Sequence, residues 1–168
     1  MAGSAYLTDV TQQGTVVGWT ETVGDEFRQQ AIAGTVRNGL TTLPGPVAGT
    51  NSVARAAAGR YIVGSAVLTG GSEDLASAVR WEPTGPQALP GTQPDARAVN
   101  DLGTVVGSDA NLGAVIWIDG DEQPLPALTA GGDSFSTSAT VATNNNTAAG
   151  VSADAQGRTR PVTWSCTS

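Results

Sequence analysis

The side chains able to do chemistry in this chain are carboxylates, arginines, two tyrosines and four tryptophans; no histidine and no lysine occurs among its 168 residues. That set removes Ser-His-Asp and Cys-His nucleophilic systems, Schiff-base chemistry and histidine-ligated metals, all of which need an imidazole or an amine. Carboxylate pairs acting as general acid and base remain, as do arginine and tryptophan contacts to a bound molecule. These groups gather in a few short segments. Glu21, Asp25, Glu26 and Arg28 form the first, with Trp19 just ahead of them; Glu73 and Asp74 form the second; Asp109 stands alone; Asp154, Arg158 and Arg160 form the last. Arg55 and Arg97 lie apart, in segments of alternating character. Asp119-Gly120-Asp121-Glu122 sets oxygen ligands around a glycine. Without the twelve-residue loop and closing glutamate of a calcium site, it predicts a hairpin turn and no metal. No phosphate-cradling loop and no dinucleotide fingerprint is present, so no cofactor is expected.

A fourfold repeat positions these segments. Its clearest copy is Ala98-Val99-Asn100-Asp101-Leu102-Gly103-Thr104-Val105-Val106-Gly107, and the closing glycines of the copies fall at Gly18, Gly64, Gly107 and Gly150, a period of 46, 43 and 43 residues. In each copy a short alternating segment meets a turn that closes at Gly14, Gly59, Gly103 or Asn146, which predicts a hairpin with a left-handed residue at that point. The second strand then runs to the closing glycine, where a bulge or the close approach of a neighbouring backbone is expected. A third strand carries Trp81, Trp117 and Trp164 at one repeated position, with Gly34 there in the first copy. A residue that recurs in this way is expected to pack between successive sheets. Leu43-Pro44, Leu89-Pro90 and Leu125-Pro126 follow, each read as a short edge strand stopped by proline. Four strands in about 43 residues is the size of a propeller blade. The expected fold is therefore all-β: one domain, a small β-propeller-like ring of four repeats at approximately 5–49, 50–94, 95–135 and 136–168. The fourth copy has no counterpart of the last strand, so either residues 1–7 complete it or its edge stays open for a second subunit.

The net charge is −7, with fifteen acids against eight arginines. Such a surface repels a phosphate backbone, so neither nucleic acid nor an anionic membrane is an expected partner. Cys166 has no second cysteine to pair with and is read as an inert residue of the final strand. With no signal segment at the start and no apolar run of membrane-spanning length, a soluble chain is expected.

The pattern Ala-x-x-Asn-x-x-Gly-x-Val-Val-Gly, followed by a small residue and an apolar pair ahead of Trp, resembles the extracellular HAF-repeat family. The triplet that names that family corresponds here to Gln30-Ala31-Ile32, Ser77-Ala78-Val79, Gly113-Ala114-Val115 and Arg160-Pro161-Val162. Alanine is kept in three copies, while His and Phe are absent from all four. The resemblance implies a propeller-like protein, extracellular if a signal segment has been removed, and it brings no catalytic residues with it; apart from the resemblance a cytoplasmic chain is expected.

Loops of unequal length on a repeated scaffold are the usual place for binding. The leading expectation is a ligand- or partner-binding module that uses the loops between second and third strands, for a carbohydrate or other small neutral molecule. Its candidate residues are Trp19, Glu21, Asp25, Glu26, Arg28, Glu73, Asp74 and Asp109, with Arg55 and Arg97 either lining a channel or facing solvent, since their spacing from the closing glycines differs by one and they need not face the same way. Two alternatives stand beside it. One is a cyclase-like or glycosidase-like enzyme using a carboxylate with Tyr6 or Tyr61. The other is an assembly module that forms a homo-oligomer through the incomplete fourth repeat.

Overall fold

The computed structural model describes residues 3–22, 28–68, 76–129, 136–145 and 147–165, and within them the chain is all-β, built as four small antiparallel sheets. Each sheet is a meander of consecutive strands. The first holds β1 (Gly3–Val10), β2 (Thr15–Thr22), β3 (Arg28–Thr35) and β4 (Gly39–Thr42); the second holds β5 (Ser52–Ala58), β6 (Tyr61–Val67), β7 (Ala76–Glu82) and β8 (Gly85–Ala88). The third holds β9 (Asp95–Val99), β10 (Val105–Asp109), β11 (Gly113–Ile118) and β12 (Asp121–Pro124), and the fourth holds β13 (Ser138–Ala142), β14 (Thr147–Ala153) and β15 (Thr159–Ser165). Residues 3–7 pair with β2 and so belong to the first sheet; they do not complete the fourth. Asp119 and Gly120, with φ of 54° and 94°, form the two-residue turn between β11 and β12.

Local chemistry explains the hairpins. Thr11, Asn100 and Thr143 each receive at their backbone carbonyl or side-chain oxygen the N–H groups of the turn they open: Thr15 N–H to Thr11 Oγ1 at 3.1 Å, Thr104 N–H to Asn100 Oδ1 at 2.9 Å, Thr147 N–H to Thr143 Oγ1 at 3.2 Å. Gly14 and Gly103 close two of these turns at φ of 80° and 85°, a conformation that costs glycine little. Asn146 lies outside the described residues. In the second repeat Ala58 pairs directly with Tyr61 around Gly59 and Arg60, so that turn is one residue shorter.

Consecutive sheets are held face to face by three apolar clusters. Val17, Ala31 and Ala33 of the first sheet meet Ala54, Val79 and Trp81 of the second; Val63, Ala78 and Leu89 meet Val99, Val105 and Trp117; Val106, Ala114 and Leu125 meet Ala139, Ala148 and Trp164. The repeated tryptophan is thus an inter-sheet residue, 3%, 0% and 7% exposed in the three sheets. Its indole N–H is not left unpaired. Trp81 donates to the Pro44 carbonyl at 2.7 Å, Trp117 to Pro90 at 3.0 Å and Trp164 to Pro126 at 2.8 Å, each time in the preceding repeat. The Leu-Pro step therefore does two jobs: its leucine N–H ends the edge pairing, as in Leu89 N–H to the Ala78 carbonyl at 2.9 Å, and its proline carbonyl receives the next tryptophan. Among the described residues no such cluster joins the fourth sheet to the first.

Candidate functional site

Every first strand carries one extra residue at the same place. Pairing with the second strand slips between Leu7 and Asp9, Ala54 and Ala56, Ala96 and Ala98, and Ala139 and Val141, which leaves Thr8, Arg55, Arg97 and Thr140 as bulges. The closing glycines are the cause. A Cβ on Gly18, Gly64, Gly107 or Gly150 would stand 1.8, 1.9, 1.9 or 2.0 Å from the carbonyl oxygen of Tyr6, Val53, Asp95 or Ser138. Only a glycine lets the first strand fold onto the second this closely, and the residue displaced by that approach is freed from the ladder's regular alternation: Thr8 Oγ1 donates to the carbonyls of Val17 and Ala54, at 3.2 and 2.9 Å.

Arg55 and Arg97 are therefore equivalent, although their spacing from the closing glycines differs by one residue. The shorter turn of the second repeat accounts for the difference. Both reach Asp95: Arg55 Nε lies 3.4 Å from Oδ1 and Arg97 Nε donates to Oδ2 at 3.0 Å. The two arginine side chains are 46% and 43% exposed, so the ion pairs orient the guanidinium groups and add little stability. Among the described residues their Nη groups have no further partner. Arg97 also walls a recess of about 200 Å³ with Gln93, Ser108, Asp109, Thr137 and Ser138, between the third and fourth sheets. Three of the expected site residues, Arg55, Arg97 and Asp109, are thereby brought to one neighbourhood.

Asp109 is buried and already engaged. Its Oδ1 accepts the N–H groups of Asn111 at 2.7 Å and Leu112 at 3.0 Å, and its Oδ2 accepts that of Thr92. A carboxylate so occupied closes its own loop and holds the neighbouring connection. Beside it stands Glu122. The Cβ position of Gly91 lies 2.6 Å from Glu122 Oε1 and 2.8 Å from Asp109 Oδ2, so the glycine leaves room for the two carboxyl groups to converge. Burial pushes the Glu122 carboxyl above its ordinary pKa, and the charge of Asp109 adds to the shift. Among the described residues its buried Oε1 has no hydrogen-bond partner. Asp154 shows the opposite case. The backbone N–H of Arg158 holds it down at about 2 against the opposing effect of burial, helped by the Arg160 guanidinium, the Gln156 N–H and the Arg158 side chain.

The remaining candidates sit on the first sheet. Trp19 stacks on Tyr6 with ring centres 5.3 Å apart and planes inclined by 19°, and its indole N–H is buried with no acceptor among the described residues. Glu21 accepts from Gln29 Nε2 at 3.2 Å, and Arg28 donates to the Gly49 carbonyl. No described hydrogen bond or ion pair links this group to Arg55 and Arg97. Asp25, Glu26, Glu73, Asp74 and Cys166 lie outside the described residues.

Asp95, Gln93, Ser108 and Ser138 were not singled out by sequence reasoning. For Asp95 a signal was present: it stands two residues before Arg97 on a repeated strand, opposite a second arginine at the equivalent position. At the opposite ends of the strands, the four first hairpins converge on a recess of about 250 Å³ that includes Gln12, Gln13, Asn100, Asp101 and Asn144. Two of its amides join the third and fourth sheets, Asn100 Nδ2 donating to the Thr143 carbonyl at 2.9 Å and Asn144 Nδ2 to Asp101 Oδ2 at 2.7 Å.

No family model matches the chain, and no match was found among curated proteins or solved structures.

Proposed function

We propose that the protein is a β-propeller-like binding module whose four sheets act as blades, with the first strands facing a common axis. On this reading Arg55 and Arg97 project from their bulges toward the axis and capture a small hydroxylated molecule bearing one carboxylate, the chemistry of an acidic sugar. The observation that supports it most is the shared Asp95: one carboxylate between two arginines leaves that trio at +1 with free guanidinium N–H groups, while Asp109 in the adjoining recess is engaged by three backbone N–H groups. The preference is thereby moved from a neutral ligand to a singly anionic one. Guanidinium groups suit a carboxylate because their donors match its two oxygens. Ser108, Ser138 and Gln93 in the adjoining recess supply hydroxyl and amide partners for a sugar. Turnover has less support, because the serines have no imidazole to activate them and Asp109 is spent on backbone N–H groups. The resemblance to HAF repeats belongs to the same proposal and agrees with a scaffold that varies its contacts from copy to copy.

The test is titration with glucuronate, galacturonate and glucose, followed by amide chemical shifts and calorimetry. Acidic sugars are expected to bind and to perturb residues around Arg97, glucose to bind at least tenfold more weakly, and Arg97→Ala to remove the difference. Equal binding of glucose, or binding of uronates unaltered by Arg97→Ala and Arg55→Ala, overturns the reading.

A further inference from the structure

Beyond the closing glycines the four sheets do not carry the same side chains. Opposite each other on first and second strands stand Tyr6 and Trp19, Val53 and Ser65, Asp95 and Ser108, and Ser138 and Val151. Two residues further along come Glu21, Val67, Ala110 and Ala153. Apart from Asp95, which holds the arginines, the later copies use small or aliphatic groups here, and two of these are buried, Val67 at 5% and Ala153 at 4%. The first copy alone places two aromatic rings and a carboxylate. Trp19 and Tyr6 stack with ring centres 5.3 Å apart, and neither belongs to the apolar clusters that join the sheets. Tyr6 remains 43% exposed. Glu21 shares the face of these rings, because β2 alternates without a break and sets Glu21 opposite Ser4 and Gln29. Gln29 Nε2 donates to its Oε1, and among the described residues no arginine forms an ion pair with it. Arg28 belongs by register to the other face.

We propose that Tyr6 and Glu21 form a binding site for a guanidinium group on an otherwise uncharged body, the chemistry of an arginine side chain in a peptide. Tyr6 and Glu21 are diagonal neighbours on adjacent antiparallel strands, a relationship that sets Cα atoms about 7–8 Å apart. That span admits one planar cation, its flat face on the Tyr6 ring and its edge N–H groups on the carboxylate. Trp19 backs the ring from behind, and Gln29 orients the carboxylate from the side. An ammonium ion has no flat face to lay on Tyr6. A neutral sugar would also stack there, but only a cation meets the unpaired charge of Glu21. The net charge of −7 favours the same sign of ligand. This site lies within one sheet, so it does not rest on the arrangement of the four sheets about an axis, and it takes the opposite charge from the Arg97 recess.

Titration with Nα-acetyl-arginine amide, followed by amide and indole NMR shifts, tests this beside the lysine and citrulline counterparts. The arginine compound is expected to move the signals of Tyr6, Trp19, Glu21 and Gln29 and to bind at least fivefold more tightly than the lysine compound. The citrulline compound keeps the shape without the charge and is expected not to bind. Glu21→Gln and Tyr6→Ala should each weaken binding at least fivefold, while Tyr6→Phe, which keeps the ring, should stay within twofold of the parent. Glu21→Gln and Tyr6→Phe are small enough changes to keep the fold if Tyr6→Ala does not, and circular dichroism checks each. Equal binding of the citrulline compound, binding unaltered by Glu21→Gln, or shifts confined to other residues overturns the proposal. So does methyl glucoside binding at Tyr6 where the arginine compound does not. Uronate binding moves signals around Arg97 instead, so failure of either proposal leaves the other standing.

Discussion

The indole N–H of Trp117 donates to the carbonyl oxygen of Pro90 at 3.0 Å, across the boundary between the second and third sheets. Its ring is 0% exposed and lies against Val63, Ala78 and Leu89. One side chain therefore supplies both the apolar area and the polar fastening of an inter-sheet contact. Small alanines around it let the sheets approach, and the indole fills what they leave.

Truncating this residue should separate the two contributions. Trp117→Ala is expected to cost about 3–5 kcal/mol, as for other large aromatic side chains removed from a core. Trp117→Phe keeps most of the apolar area but strands the Pro90 carbonyl, for about 1–3 kcal/mol. Urea unfolding followed by circular dichroism measures both. If Trp117→Phe matched the parent, the hydrogen bond would have no net role.

The closing glycines should be intolerant in a way the turn glycines are not. An alanine at 107 places its Cβ 1.9 Å from the Asp95 carbonyl oxygen, so the first strand of the third sheet must move and carry Arg97 with it. Gly107→Ala is expected to destabilise by more than about 3 kcal/mol, the range reached when backbone strain adds to lost packing. Gly14→Ala meets nothing within 4 Å and should cost only about 1 kcal/mol for its left-handed backbone. Comparable midpoints for the two variants would remove the close approach as the reason for these glycines.

Glu122 and Asp154 should respond to pH in opposite senses. For Glu122, burial and Asp109 raise the folded-state pKa, so its stabilising contribution is complete below the unfolded value and is lost as pH rises through the raised one. Glu122→Gln is therefore expected to melt higher than the parent at pH 7, with the gap closing in acid. For Asp154 the folded pKa of about 2 makes the contribution complete at neutral pH and lost as pH falls through about 2. Asp154→Asn should melt lower at pH 7 and approach the parent in strong acid. Melting curves from pH 2 to 8 decide both, and a gap at Glu122 that widened in acid would reverse the assignment.

Much of the scaffold is legible in the sequence because it rests on residues that recur. The third-strand tryptophans, the Leu-Pro stops and the turn glycines each mark a position where one residue type is nearly required. Strand ends were less legible: β2 continues past Gly18 to Thr22, because a bulge glycine bends a strand without ending its pairing. The equivalence of Arg55 and Arg97 was hidden for a simple reason. Counting back from the closing glycine crosses a turn that is one residue shorter in the second repeat, so position along the chain and position in the sheet disagree. The hydrogen bonding of Asp109 was hidden in another way. An acid in a loop reads as a free charge, and only the folded structure brings three backbone N–H groups around it.

The tryptophan-to-proline fastenings run in one direction only, from each sheet to the one before it. Information about folding must pass the same way a zipper closes, through neighbours, since no fastening described skips a sheet. Among the described residues the second and third sheets meet a neighbouring sheet through an apolar cluster on two faces, the first and fourth on one. Cooperativity in such a molecule is linear, and thermal fraying should begin at its outer sheets while β6 and β10 keep their amide protons longest.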